Sequence, residues 1–259
     1  MSRFFCRNFA LRVCVCAALG AAAARSQDAR AIIEESEKRT RSTSQRYEGA
    51  LRVVDSGGSV TDKRWRSERM GSAGNSKSIL RFTAPAEVKG VALLIVNHPD
   101  RASDQWMWTP AIGRDRRIAL QDRSTRFFGT DFSFEDLEER DVDQFIYKLL
   151  GEEDIEGARS WRIEARPKQS KTSQYSSLLI WVRKDNYVTA QVHSLVKDQV
   201  ARRLRCQQIE NVQGIWTARL LEMTDARRGS RTELKIEKLQ YNVPVKEADF
   251  TVVALRRDE

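Results

Sequence analysis

Apolar and polar residues alternate with a period of two over most of this chain, the pattern of strands with one face buried and the other wet. Tyr47, Leu51 and Val53 fall on one side of a strand, the SGGS quartet from Ser56 to Ser59 makes a turn, and Trp65 with Met70 lies on the return strand. Leu80 and Phe82 alternate with Arg81 and Thr83 until Pro85 stops the run. Beyond the middle of the chain the same grammar resumes in Phe145, Tyr147 and Leu149, then in Trp161, Ile163 and Ala165, with turns at Gly151 and Gly157. Leu178, Ile180 and Val182 follow a polar loop at Ser170 to Ser176, and Val188, Ala190, Val192 and Val196 return after Lys184, Asp185 and Asn186. Val200 to Cys206, Ile215 to Met223 and Leu234 to Tyr241 predict three more strands, and Phe250 to Leu255 closes the chain. The expectation is ten or eleven strands and two or three helices, in an antiparallel sheet that must curl or close to protect its edges.

Three stretches depart from simple alternation. Ser26 to Arg41 places Ala29, Ile32, Ile33 and Ser36 at helical spacing with Asp28 as a cap, which predicts one amphipathic helix. Its apolar stripe is thin, so it must lie against something larger to be stable. Val91 to Val96 is apolar on both faces, so Leu93 and Ile95 or their neighbours look inward and the other face also needs a cover, from a lid or from the first helix. Trp106 and Trp108 share one side of a strand that Pro110 ends, as either a core plug or a ligand wall.

A further stretch, Gly113 to Glu139, organises the rest. Phe127, Phe128, Phe132 and Phe134 fall within eight residues, with Gly129 as a hinge, a basic run (Arg114, Arg116, Arg117) before them and an acidic run (Glu135, Asp136, Glu138, Glu139) after them. Ser133 with Asp136 three residues on resembles a capping box, so a short helix is expected to start near Phe134. The segment holds no nucleophile beside a base and no set of metal ligands; it is a hinged aromatic flap suited to covering an apolar space. Leu80, Phe82, Leu93, Ile95, Trp106 and Trp108, the strand residues nearest to it in sequence with the right alternation, are the expected walls of that space.

The ends and the charge refine this picture. Arg3, Arg7 and Arg12, the apolar run Val13 to Ala24, and Ala22 with Ala24 read as a secretory signal cleaved after residue 24, leaving one domain over 25–259 in the periplasm. Cys14 and Cys16 each follow a valine, so no lipid anchor is expected. Removing three arginines and no acids lowers the net charge from +9 to about +6, spread along the chain. No arginine stripe with interleaved aromatics is present, which argues against nucleic acid and for transient contact with an anionic membrane surface. Cys206 alone remains after cleavage and has no internal disulfide partner, so the domain is expected to be a monomer held by its core, with that thiol buried.

Catalytic chemistry is missing from the pattern. His98 and His193 sit on different strands, no HExxH, CxxC, GxSxG or GxGxxG occurs, and Asp131, Glu135 and Asp136 are explained by the dipole at a helix start. No enzyme, metal or cofactor is expected.

The run RRIALQDRSTRFFGTDFSFEDLEERD, preceded by DQWMWTPAIG and followed by SSLLIWVRKDNYV and GIWTARLLEMTD, resembles the outer membrane lipoprotein-sorting protein family, which is similar to the periplasmic lipoprotein carrier LolA. The resemblance runs from Tyr47 to Leu255 and is most specific in FFGTDFSFEDL. It implies an incomplete antiparallel β-barrel, mainly β with helices, closed on one side by a helical lid over an apolar cavity for the acyl chains of a lipoprotein or lipid. It also implies traffic from an inner-membrane exporter of the resistance-nodulation-division type to an outer-membrane acceptor, and an arginine that clasps the lid. Arg114, Arg116 and Arg117 are adjacent to the lid, and the sequence singles out none of them. A non-carrying accessory protein that docks on such an exporter through its aromatic lid is the alternative.

Overall fold

The computed structural model describes residues 29–169 and 172–257. The expected signal at 1–24, the cap Asp28, and Ser170 and Lys171 of the polar loop lie outside them. The helical pattern folds as α1 over 29–40, the only α-helix among the described residues. Its buried Ala29, Ile32 and Ile33 pack on Phe145, Ile163 and Val182, which supplies the larger partner that a thin stripe requires.

Among the described residues, thirteen antiparallel strands form a single sheet. The first half comprises β1 (Ser44–Val54), β2 (Val60–Ser72), β3 (Asn75–Ala84), β4 (Ala92–Val96), β5 (Asp104–Thr109) and β6 (Arg114–Arg117). The second half comprises β7 (Phe145–Ile155), β8 (Ala158–Pro167), β9 (Ser177–Arg183), β10 (Thr189–Val196), β11 (Gln199–Val212), β12 (Ile215–Asp225) and β13 (Ser230–Tyr241). In space they run from β6 back to β1, across to β13, and then back to β7, so β1 pairs with β13 in the middle of the sheet. The sheet is an incomplete barrel: β6 and β7 remain unpaired edges, and residues 118–144, which connect them, carry the aromatic segment.

Two departures from the sequence pattern have physical causes. Strand β6 reads Arg-Asp-Arg-Arg, with no apolar alternation to reveal it, as suits an edge strand that must repel other edges. Phe250 to Leu255 forms no strand; it folds with single 3-10 turns at Glu247–Asp249 and Ala254–Arg256 and buries Phe250 and Leu255 on the outer face of β4. That segment, rather than the lid or α1, covers Ala92 and Leu94, and Arg81 fixes it by donating to the Leu255 carbonyl at 2.9 Å and the Ala254 carbonyl at 3.1 Å.

The main core lies on the inner face. Trp65, Phe82, Leu93 and Leu234 are buried there, and a Cβ on Gly49 would meet Trp65 Nε1 at 2.2 Å and Leu234 Cδ1 at 2.8 Å, so β1 needs glycine where the indole crosses it. A second inner core, beneath α1, lines the β7–β9 end.

Candidate functional site

The aromatic segment forms a small hairpin that turns into the sheet. Arg126 bridges Ser133, the Phe127 amide donates to Phe132 O at 2.8 Å, and the Thr130 amide donates back to Phe127 O at 3.0 Å. Phe128 and Gly129 at the tip have φ of 45° and 78°, the paired positive values of a type I′ turn, so Gly129 serves a tight reversal. Phe127 is wholly buried and stacks on Phe82 at 5.4 Å between ring centroids, with Phe128 at 5.3 Å and Phe134 at 5.4 Å edge-on. Aromatic pairs at such spacing stabilise beyond their buried area by about 0.5–1.5 kcal/mol each.

Of the expected walls, the structure gathers Leu80, Phe82, Leu93 and Ile95 into one core with Phe127, Phe132 and Phe134, with half-buried Phe128 against it. Trp106 and Trp108 lie on the opposite face of β5, against Leu94 and the C-terminal segment, because Leu94 pairs with Trp106 and shares its side of the sheet. Arg117 holds Asp104 at 2.5 Å, Arg116 lies 3.9 Å from Asp122, and Arg114 is exposed, so none of the three reaches the hairpin.

Other arginines fasten the lid. Arg126 donates to Thr130 O at 2.7 Å and Gly129 O at 2.6 Å, closing the tip. Asp131 is fully buried and accepts from Ser230 Oγ at 2.5 Å, Thr232 Oγ1 at 2.8 Å and Arg126 at 3.0 Å. The capping box forms, with Ser133 N to Asp136 Oδ2 at 2.7 Å and Asp136 N to Ser133 Oγ at 3.3 Å, but it opens only a single 3-10 turn, Glu135–Leu137, before the chain extends at Glu138. Three further ion pairs follow: Glu135 with Arg140, Asp136 with Arg202 at 3.1 Å, and Glu138 with buried Arg123 at 3.0 Å. Burial pushes the Glu138 carboxyl up while Arg123 and Arg140 oppose it, and burial with the adjacent Asp136 pushes the Tyr175 hydroxyl above its ordinary range.

Beside this charged seat lies a partly open cavity of about 600 Å³ on the concave side of β7 to β13, with α1 along one wall. Leu178 and Ile180 of β9, Val192 of β10, Leu204 of β11 and Leu221 of β12 face it. Met223, Ile236 and Tyr241 line it too and also belong to the aromatic core, so the Phe cluster abuts the cavity without entering it. Cys206, half-buried rather than buried as expected, faces the same space, and desolvation pushes its thiol up to about 12, which disfavours the thiolate. On α1, Ile33, Ser36, Glu37 and Thr40 present one face to it; burial, then the neighbouring Asp141, pushes the Glu37 carboxyl up to about 7. None of Leu80, Phe82, Leu93, Ile95, Trp106 and Trp108, the strand residues nearest the lid in sequence, lines this cavity. The signals for the residues found here were the alternation in β9 and β10 and the i, i+3, i+4, i+7 face of α1.

The site offers apolar surface with charged groups at one end. Among the described residues no three His, Cys, Asp or Glu side chains group as a metal site. His98 lies 3.0 Å from Asp104, and His193 packs edge-on to Trp181 at 4.6 Å.

A family model described as an uncharacterized protein matches residues 74–257. No curated protein matches the chain. Among solved structures, a domain from Vibrio parahaemolyticus described as an outer membrane lipoprotein-sorting protein has a TM-score of 0.85 at 23% identity, covering 90% of this chain and 100% of that one. A DUF1329 family protein from Desulfovibrio piger reaches 0.84 at 27% identity, over 89% of this chain and 99% of its own. A LolA superfamily protein from Nitrosomonas europaea reaches 0.70 at 20% identity, over 87% and 98%.

Proposed function

The chain belongs to the family whose model matches residues 74–257 and has the fold of outer membrane lipoprotein-sorting and LolA superfamily proteins, and from that premise we propose that it is a periplasmic carrier sheltering the acyl chain of a lipid or lipoprotein beneath α1. In this reading residues 25–259 are one exported, non-catalytic domain that acts as a monomer once 1–24 have been removed.

The observation that carries the reading is the cavity of about 600 Å³ on the inner face, walled by aliphatic side chains from β9 to β12. Each methylene withdrawn from water contributes about 0.8 kcal/mol, so a chain of about ten carbons gains about 8 kcal/mol before ordering costs. Binding of that strength fits a carrier that collects and releases cargo. The hairpin of Phe127, Phe128, Phe132 and Phe134 then seals the neighbouring half of the groove, sharing one core with Met223 and Ile236 of the cavity wall, so that its displacement would make room for a longer chain. Docking on an exporter through the same rings would need them at the surface, whereas Phe127, Phe132 and Phe134 are buried.

The test is to fill the space. Val192→Trp and Ile180→Trp each place an indole where the acyl chain would lie, and both are expected to lower uptake of a fluorescent fatty acid at least about tenfold, a loss of about 1.4 kcal/mol. Unaltered uptake by both folded variants would count against this cavity as the cargo site.

A further inference from the structure

A second cavity, of about 340 Å³, adjoins the apolar one; Glu37, Thr40, Arg140 and Tyr241 line both. Its remaining wall is polar and includes Arg41, Gln45, Arg69, Ser72 and Glu139. An aliphatic chamber bordering a polar one matches an amphiphile, and the polar side bears on what its head carries.

The charges at this border are unevenly matched. Glu135 is paired with Arg140, Asp136 with Arg202, Glu138 with Arg123, and Glu139 with Arg69 at 3.3 Å. Glu37 has no salt bridge among the described residues, although it is half-buried and feels the negative charges of Asp141, Glu139 and Glu34. Arg41, just beyond the end of α1, opposes those charges through space but likewise forms no salt bridge among the described residues, and its side chain is exposed. The two cavities therefore meet at one carboxylate short of a cation, with one guanidinium short of an anion in the polar wall.

We propose that the polar cavity is a headgroup subsite for a zwitterionic phospholipid, in which Glu37 takes a primary ammonium and Arg41 takes the phosphate while the acyl chain lies in the apolar cavity. The inference rests on the carrier reading and narrows its cargo. An ammonium at half-buried Glu37 supplies a charged donor to a carboxylate that has no salt bridge among the described residues, and partial burial makes that charge-assisted hydrogen bond count for more than it would on the open surface. Phosphate suits a guanidinium, which presents two parallel N–H donors. A phosphoglycerol head offers Glu37 only neutral hydroxyl donors and a bare carboxylate offers none, and each brings a net negative charge towards Asp141, Glu139 and Glu34.

The experiment is competition against a bound fluorescent fatty acid, with lysophosphatidylethanolamine and lysophosphatidylglycerol of one chain length, each kept monomeric. The parent protein is expected to prefer the ethanolamine lipid by about tenfold, the scale of one charge-assisted hydrogen bond. Glu37→Gln should shrink that ratio to about twofold or less, with each variant's own dye affinity as reference, and Arg41→Gln should weaken both phospholipids alike. Equal competition by the two lipids in the parent, or a preference that survives in Glu37→Gln, would overturn the subsite while leaving the carrier reading standing. Failure of the parent to take up the dye at all would sink the carrier reading and the subsite with it.

Discussion

The hydroxyl of Thr232 accepts a hydrogen bond from the Asp131 amide and donates one to the Asp131 carboxylate, both at 2.8 Å, and so ties the tip of the aromatic hairpin to β13. Both residues are fully buried, so Thr232→Val leaves an amide and a carboxylate oxygen short of partners where water does not reach. The expected cost is about 2–3 kcal/mol, or about 5–10 °C in Tm for a domain of this size, read by calorimetry. A loss below about 1 kcal/mol would show that the hairpin is held elsewhere.

Stability should also depend on pH through Glu37. Its carboxyl is raised from 4.5 to about 7 by burial first and by Asp141, Glu139 and Glu34, against Arg41. Between those two values the folded protein keeps a proton that the unfolded chain has released, so stability falls as pH rises through this window. Glu37→Gln removes the effect. Its Tm should match the parent near pH 4.5 and exceed it by a margin that grows up to about pH 7 and then levels off. A margin that is constant from pH 4.5 to 8 would contradict the assignment.

Phe127→Ala tests whether the hairpin limits the cargo. The ring fills the space between Phe82, Phe128 and Phe134, and its removal from a closed core costs about 3–5 kcal/mol. Because the same core shares Met223 and Ile236 with the cavity, the vacated space should also lengthen the acyl chain bound best in a series of fatty acids. An unshifted chain-length optimum in a folded variant would mean that the two spaces do not join.

Much of the fold was legible because a half-buried strand writes itself into the sequence. Trp161, Ile163 and Ala165 alternate as the β8 register requires, and the doubly apolar Val91 to Val96 correctly demanded cover on both faces. What supplies that cover was not legible, since Phe250 and Leu255 reach β4 from the far end of the chain. Trp106 and Trp108 showed that they share a side, and nothing local states which side is inner. The acids after the hairpin looked like helix-start residues, and Ser133 with Asp136 does cap a turn; the partner that makes Asp136 part of a buried ion pair, Arg202, lies 66 residues away. The cavity went unseen for a related reason. Closeness along the chain pointed to β3 to β5, whereas the pairing of β1 with β13 carries the open space round to strands of the second half.

The sheet's two free borders, β6 and β7, are consecutive in the chain, and residues 118–144 are the thread between them. The barrel therefore has one seam, and the phenylalanine hairpin is sewn into its stitching. Any parting of that seam would have to carry the hairpin with it, because both lie on the same short span of backbone.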